Sequence, residues 1–141
     1  MPILNYTTQI SYHKTLSEIQ SILTKAGATK IMTDNENMRP VSVSFCINWS
    51  GQLVAFLMPC NFKGVLAAMK RNTKVPRNKC TEEQALRVGW RILKDWIEAQ
   101  LAIVDADMVT IVEVFMPYAI TKNGQTMYRN LQDNKQLLLT N

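Results

Sequence analysis

Lys63, Lys70, Arg71, Lys74, Arg77 and Lys79 place six positive charges in one short stretch that contains no acidic residue. The other ten basic residues face eleven acidic ones, so this stretch accounts for the whole formal net charge of +5. Charge concentrated in this way marks a docking surface for a polyanion or an acidic protein rather than a general solubility device. Arg87 and Arg91 extend the stretch along the helix that follows it. Neither a groove-reading helix-turn-helix nor an RNA-recognition signature accompanies these residues, so nucleic-acid contact would go to backbone phosphates rather than base edges. Trp49, in the connection Asn48-Trp-Ser-Gly51, is the aromatic best placed to touch a partner.

Catalytic chemistry finds less support. His13 is the one histidine, so a triad or a Cys–His pair would have to use it with a serine or with Cys46, Cys60 or Cys80. No nucleophile elbow or glycine-rich cysteine context is present, and His13 reads as an exposed loop residue before a helix. Asp105 and Asp107 flank Ala106, with Glu113 nearby, a pattern that can hold a divalent cation through carboxylate oxygens. A metal-dependent nuclease needs further carboxylates, and the remaining acids are scattered. The five glycines are isolated and form no phosphate-cradling loop. Three cysteines, odd in number and without a C-x-x-C pair, suggest free and mostly buried thiols rather than disulfides or zinc. The residues therefore predict a non-enzymatic binding protein with no cofactor and no metal.

The elements that position these residues follow from periodicity and caps. Alternation from Tyr6 to Tyr12 predicts an N-terminal strand. Thr15-Leu-Ser-Glu18 reads as a capping box opening a helix over 15–26, with Leu16, Ile19, Ile22 and Leu23 on its apolar stripe and Gly27 ending it. Three strands follow, at Thr29–Thr33, at Val41–Asn48 and at Leu53–Met58. The third is apolar on both parities and reads as covered on both faces. Asn61 caps a short helix bearing Val65, Leu66 and Met69, and the basic stretch runs from it into a Pro76-containing surface loop.

Thr81-Glu-Glu-Gln84 opens the longest helix, extending to about Val104. Its apolar residues span an arc of roughly 220° at ~100° per residue, twice what a surface helix needs. That width predicts cover on two sides, by the sheet and by something else, and makes a homodimer reasonable. Trp90 and Trp96 lie on the arc and read as core, and Gly89 reads as a site of close backbone approach. Gln100 on the same arc calls for a hydrogen-bond partner or an interface. Arg87, Arg91, Lys94, Asp95, Glu98 and Gln84 fill the polar strip, with Arg91–Asp95 and Lys94–Glu98 at i,i+4 spacing. Thr110–Glu113 is a third capping box, Tyr118–Thr121 a possible strand before the Asn123-Gly124 turn, and Thr126–Leu131 a last helical turn. Leu137–Leu139 reads as a docked terminus or an exposed apolar patch.

This order predicts an α+β fold, an antiparallel sheet of three to four strands packed on the long helix, in a single domain over 1–141 with a basic surface loop around 70–80. No apolar run approaches the ~20 residues that span a bilayer. The start MPILNYTTQ lacks the basic-then-apolar order of a signal peptide. A soluble, intracellular protein is expected.

The segments YTTQISYHKTLSEIQSILTKAGATKIM and TEEQALRVGWRILKDWIEAQLAIVDADMVTIVEVFMPYAI, and within them Ser17-Glu-Ile-Gln20 and Arg91-Ile-Leu-Lys-Asp-Trp-Ile-Glu-Ala-Gln-Leu101, resemble a family of small proteins of bacteriophages and integrated prophages, often encoded among replication and recombination genes. The resemblance runs from Asn5 to about Gln132. The family is similar in turn to small anti-defence proteins that inhibit type II CRISPR nucleases. It implies a phage inhibitor that binds a host defence nuclease, alone or with its guide RNA. The basic stretch sets this chain apart from acidic mimics of DNA. A nucleic-acid-binding accessory of phage replication or recombination is the other reading, with phosphate contacts from Lys63–Lys79, and a metal-dependent nuclease built on Asp105, Asp107 and Glu113 is a distant third.

Overall fold

The computed structural model describes residues 1–138. β1 (Lys30–Glu36), β2 (Arg39–Trp49) and β3 (Gln52–Pro59) form an antiparallel sheet in the order β1-β2-β3. Two two-residue turns set its register. Asn37 and Met38 both have positive φ, 51° and 64°, and Ser50 and Gly51 have 53° and 86°. Such turns match the right-handed twist of the strands they join. One face aligns Thr33, Val43 and Met58 in one row and Ile31, Phe45 and Phe56 in the next. The Phe45 and Phe56 rings stack at 5.2 Å, and Phe115 meets Phe45 edge-on at 5.4 Å.

β3 departs from the expected two-sided cover. Phe56 and Met58 are buried, but Leu53 is exposed and Ala55 and Leu57 are half-buried. The core residues of the helices gather on the Phe45–Phe56 face, which leaves the opposite stripe of β3 only partly covered.

The N-terminal alternation does not become a strand: residues 1–10 form turns and irregular chain. Period two alone supplies no backbone partner. The segment instead crosses the long helix, where the Gln84 side-chain amide donates to the carbonyls of Tyr6 and Thr8, each at 2.9 Å. Helix α1 (Tyr12–Lys25) starts ahead of the expected Thr15 cap. Ser11 caps it by accepting from the Lys14 N–H at 3.1 Å. Thr15 is buried and donates back to the Ser11 carbonyl, while Glu18 pairs with Arg91, so neither serves a cap. His13 accordingly lies on the first turn of α1, exposed and beside the Tyr12 ring. Gly27, at φ +107°, follows the helix end.

Helix α2 (Phe62–Arg71) is capped by Asn61, as its sequence predicts. Helix α3 (Glu82–Asp105) is capped by Thr81, which accepts from the Gln84 N–H at 3.1 Å. The reciprocal half of that capping box is missing: the Gln84 Oε1 accepts from Arg87 Nε and the Thr81 N–H donates to the Lys79 carbonyl, each at 2.9 Å, while the Gln84 amide N–H groups hold Tyr6 and Thr8. Replacing Gln84 with alanine should therefore cost about 1–3 kcal/mol, the penalty for buried polar groups left without partners. Amide exchange across residues 1–10 should accelerate more than exchange in α3. Equal acceleration in both would show that Gln84 does not hold this segment.

Both faces of the α3 arc are covered within the chain. Leu86, Trp90 and Ile97 join the sheet, α1 and Phe115 in the main core. Ala85 and Val88, with Ile92, pack against Met69, Val75 and α2 in a second cluster. Over these turns the arc needs no second copy of the chain; Ile103 and Val104 at its end are half-buried and join neither cluster. Gln100 is half-buried. At Gly89 the close neighbour is a thiol rather than backbone: a Cβ there would stand 2.8 Å from the Cys60 Sγ. Burial pushes the Cys60 thiol up to about 12 and leaves it a small apolar side chain at neutral pH. Gly89→Ala should destabilise by about 1–3 kcal/mol through overpacking. Adding Cys60→Ala should recover most of that loss in denaturant unfolding. Strictly additive effects of the two substitutions would mean the thiol is not the obstacle.

After α3 the chain forms α4 (Ile111–Phe115), where both halves of the Thr110–Glu113 capping box are present. Hydrogen bonds from Thr110 hold the Glu113 carboxyl below its ordinary value. Tyr118–Thr121 yields single bridges, Ala119 to Phe56 and Ile120 to Thr126, rather than a full strand. Gly124, at φ +83°, turns the chain between them. Helix α5 (Met127–Asp133) is capped by Thr126. Leu137 and Leu138 are exposed; Leu139 lies outside the described residues. The fold is α+β, with α3 packed on a three-stranded sheet.

Candidate binding surface

Helix α2 turns Val65, Leu66 and Met69 toward α3, which leaves its other side exposed at Lys63, Ala67, Lys70 and Arg71. These positions are i, i+4, i+7 and i+8 and form one stripe. The following loop carries Lys74 and Arg77, both exposed, and Lys79, half-exposed. This loop is pinned: Val75, 3% exposed, inserts between α2 and α3. Asn72 accepts from the Lys74 N–H at 2.9 Å, and Arg77–Lys79 forms a 3-10 turn. Val75 is the supporting residue that the polar surroundings of the loop conceal in the sequence.

None of the six basic side chains makes an ion pair among the described residues. The acids closest in the chain, Glu82 and Glu83, are already engaged. Arg39 reaches Glu82 at 3.0 Å and Glu83 at 3.6 Å, and Arg87 lies 3.9 Å from Glu83. The Glu82 carboxylate raises the Arg39 guanidinium above its ordinary value, and the same guanidinium sits 5.6 Å from the Phe62 ring centroid. The acidic first turn of α3 is thereby neutralised from outside the basic stretch.

The structure divides the nine sequence-derived residues. Lys70, Arg71, Lys74, Arg77 and Lys79 group around the end of α2 and the loop leading into α3. Lys63 borders a depression of about 470 Å³ that also contains Asp34 and Glu36, so its surroundings are mixed. Arg87 is drawn to Glu83 and donates to the Gln84 side-chain oxygen at 2.9 Å. Arg91, with 14% of its side chain exposed, pairs with Glu18 and donates to Thr15. The expected Arg91–Asp95 pair gives way to this one, and Asp95 accepts from Asn5 instead. Lys94–Glu98 forms as its spacing predicts, at 2.7 Å. Trp49 is 52% exposed at the β2–β3 turn. The length of β3, about 25 Å at ~3.3 Å per residue, separates it from the start of α2.

The carboxylates considered for a metal do not converge. Asp105 and Asp107 are exposed, and Glu113 accepts from the Thr110 N–H at 3.0 Å. No group of three or more His, Cys, Asp or Glu suited to a metal ion occurs among the described residues. No helix among them is long and apolar enough to cross a membrane. What the surface can do chemically is bind anions: five exposed or half-exposed cations on an ordered frame, with nearby acids paired elsewhere. The chain matches no protein-family model, no curated protein and no solved structure.

Proposed function

We propose that this chain is a non-enzymatic, phage-encoded anti-defence protein that binds a type II CRISPR effector nuclease in its guide-loaded form. The observation that carries this reading is the group Lys70, Arg71, Lys74, Arg77 and Lys79, which has no ion pair while Arg39 and Arg87 occupy the adjacent acids. A basic surface opposes mimicry of DNA and suits the phosphates of a guide RNA; the resemblance in sequence supplies the defence context. Capture on an immobilised effector with and without guide RNA tests it. Binding to the loaded form, weakened by salt, is expected. Failure to bind either form would remove the proposal.

A second reading keeps the surface and changes the partner: an accessory of phage replication or recombination that holds nucleic-acid backbone directly. The grouping of Lys70, Arg71, Lys74, Arg77 and Lys79 at one helix end and its following loop, where they can follow a phosphate backbone, favours it. Five phosphate contacts would give a slope of log K against log salt of about −4. A mobility-shift titration of single- and double-stranded DNA and RNA at two salt concentrations reads this. Binding to free nucleic acid as tight as to the loaded effector would favour the accessory role.

A further inference from the structure

The two edges of the sheet are treated differently. β3 is closed by the chain itself, where Ala119 bridges Phe56 and the Ile120 N–H donates to the Ala55 carbonyl at 2.8 Å. β1 pairs only with β2, and its outer edge carries no backbone partner among the described residues. Five of its seven residues are exposed, including Met32 at 63%. The ladder irregularity beside it does not interrupt this edge. Asp34 pairs with Ser42 and Asn35 with Pro40, so the additional residue, Val41, belongs to β2.

A free edge commonly carries charge as protection against pairing with another chain. The charges of β1 are Lys30, Asp34 and Glu36; Asp34 accepts from the Ser42 hydroxyl at 2.8 Å and shares a depression with Glu36 and Lys63. Lys30 and Glu36 stand three residues either side of Thr33 and have opposite signs, and neither makes an ion pair among the described residues. An antiparallel copy turned about a two-fold axis through Thr33 would set each Lys30 opposite a Glu36, each Asp34 opposite a Met32 and Thr33 opposite Thr33, with Asp34 held back on its own chain by Ser42. Opposite charges and paired threonines are favourable directly across an antiparallel ladder, and like charges are unfavourable. An edge protected by repulsion alone would carry one sign. The depressions along β1 are lined from α1 by His13, Leu16, Ser17, Gln20 and Thr24, with no Lys, Arg, Asp or Glu of that helix among them.

We infer that β1 is a self-complementary edge through which two copies of this chain join their sheets into one six-stranded sheet. The contact is isologous, so each Lys30–Glu36 pair occurs twice. Joining by one short strand makes a small interface and places the dissociation constant at roughly 10–1000 μM. This inference stands independently of the proposed function.

Sedimentation velocity and light scattering across about 5–500 μM should show a reversible monomer–dimer equilibrium. Lys30→Glu places two like-charged pairs across the axis, and so does Glu36→Lys. Each should raise the dissociation constant about tenfold or more with an unchanged thermal midpoint. The double variant restores opposite charges in exchanged positions and should return to within a factor of about 3 of the parent. A monomer at every concentration overturns the inference. So does a dimer indifferent to both single changes, or a folded double variant no better than the singles.

Discussion

Trp90→Ala is expected to remove about 4–6 kcal/mol of the stability of the fold. Trp90 is fully buried on the side of α3 that faces the sheet. Its indole N–H donates to the Pro40 carbonyl at 3.1 Å, a buried bond that links the long helix to the beginning of β2. Truncation costs ~3–5 kcal/mol for the lost burial and the cavity. It also leaves the Pro40 carbonyl without that donor, adding roughly 1 kcal/mol. Small domains have only about 5–15 kcal/mol in total. The thermal midpoint should accordingly fall by ~10–20 °C, with urea unfolding shifted in proportion. Trp90→Phe retains much of the volume and none of the N–H, so it should fall between the two. A loss below about 1 kcal/mol for the alanine variant would contradict the central position assigned to this residue.

Neutralising the basic surface should have the reverse profile. Replacing Lys70, Arg71, Lys74, Arg77 and Lys79 by Gln changes exposed or half-exposed side chains that make no ion pair and leaves the Val75 anchor in place. Such substitutions change stability by ~0.5 kcal/mol or less each. On the proposed function, affinity for the guide-loaded effector should drop at least about a hundredfold, and the dependence on salt should flatten by about one unit of slope per lost contact. The control is a matched loss of charge elsewhere. Lys70, Arg71 and Lys74 changed together remove as much net charge as Lys14, Lys25 and Lys122. If the two triple variants bind alike, net charge matters and the surface does not.

Much of the fold was legible because its signals are local. Asn61, Thr81, Thr110 and Thr126 each cap the helix that follows, since a side-chain oxygen needs only the next turn of backbone to act. The start of α1 was misplaced for the same reason. Ser11 and Thr15 are both suitable caps four residues apart, and the choice between them depends on Arg91, far along the chain, which takes up Thr15 and Glu18. Arg91–Asp95 fails on the same ground: helical spacing makes a pair possible, but a partner on α1 offers a less exposed site. The basic stretch itself was plain in the sequence. Its electrostatic isolation was not, because that depends on Arg39, on β2, reaching the acids at the start of α3. Apolar residues on both parities of β3 suggested two-sided cover, yet Leu53 is exposed, because composition cannot tell a covered face from an uncovered apolar one.

The 24 residues of α3 span about 36 Å at 1.5 Å per residue. Lys74, Arg77 and Lys79 lie just before its first turn, and Asp105 and Asp107 lie at its last. At physiological ionic strength electrostatic influence decays over ~8 Å. The acidic end is therefore more than four decay lengths from the loop cations and cannot attenuate their attraction for an incoming polyanion. The helix macrodipole has its positive pole at the same end as these cations, adding to the asymmetry. A polyanion approaching from solution would thus meet a directional field before contact, one that favours approach to the loop cations. Low salt should accelerate productive encounter more than it slows dissociation.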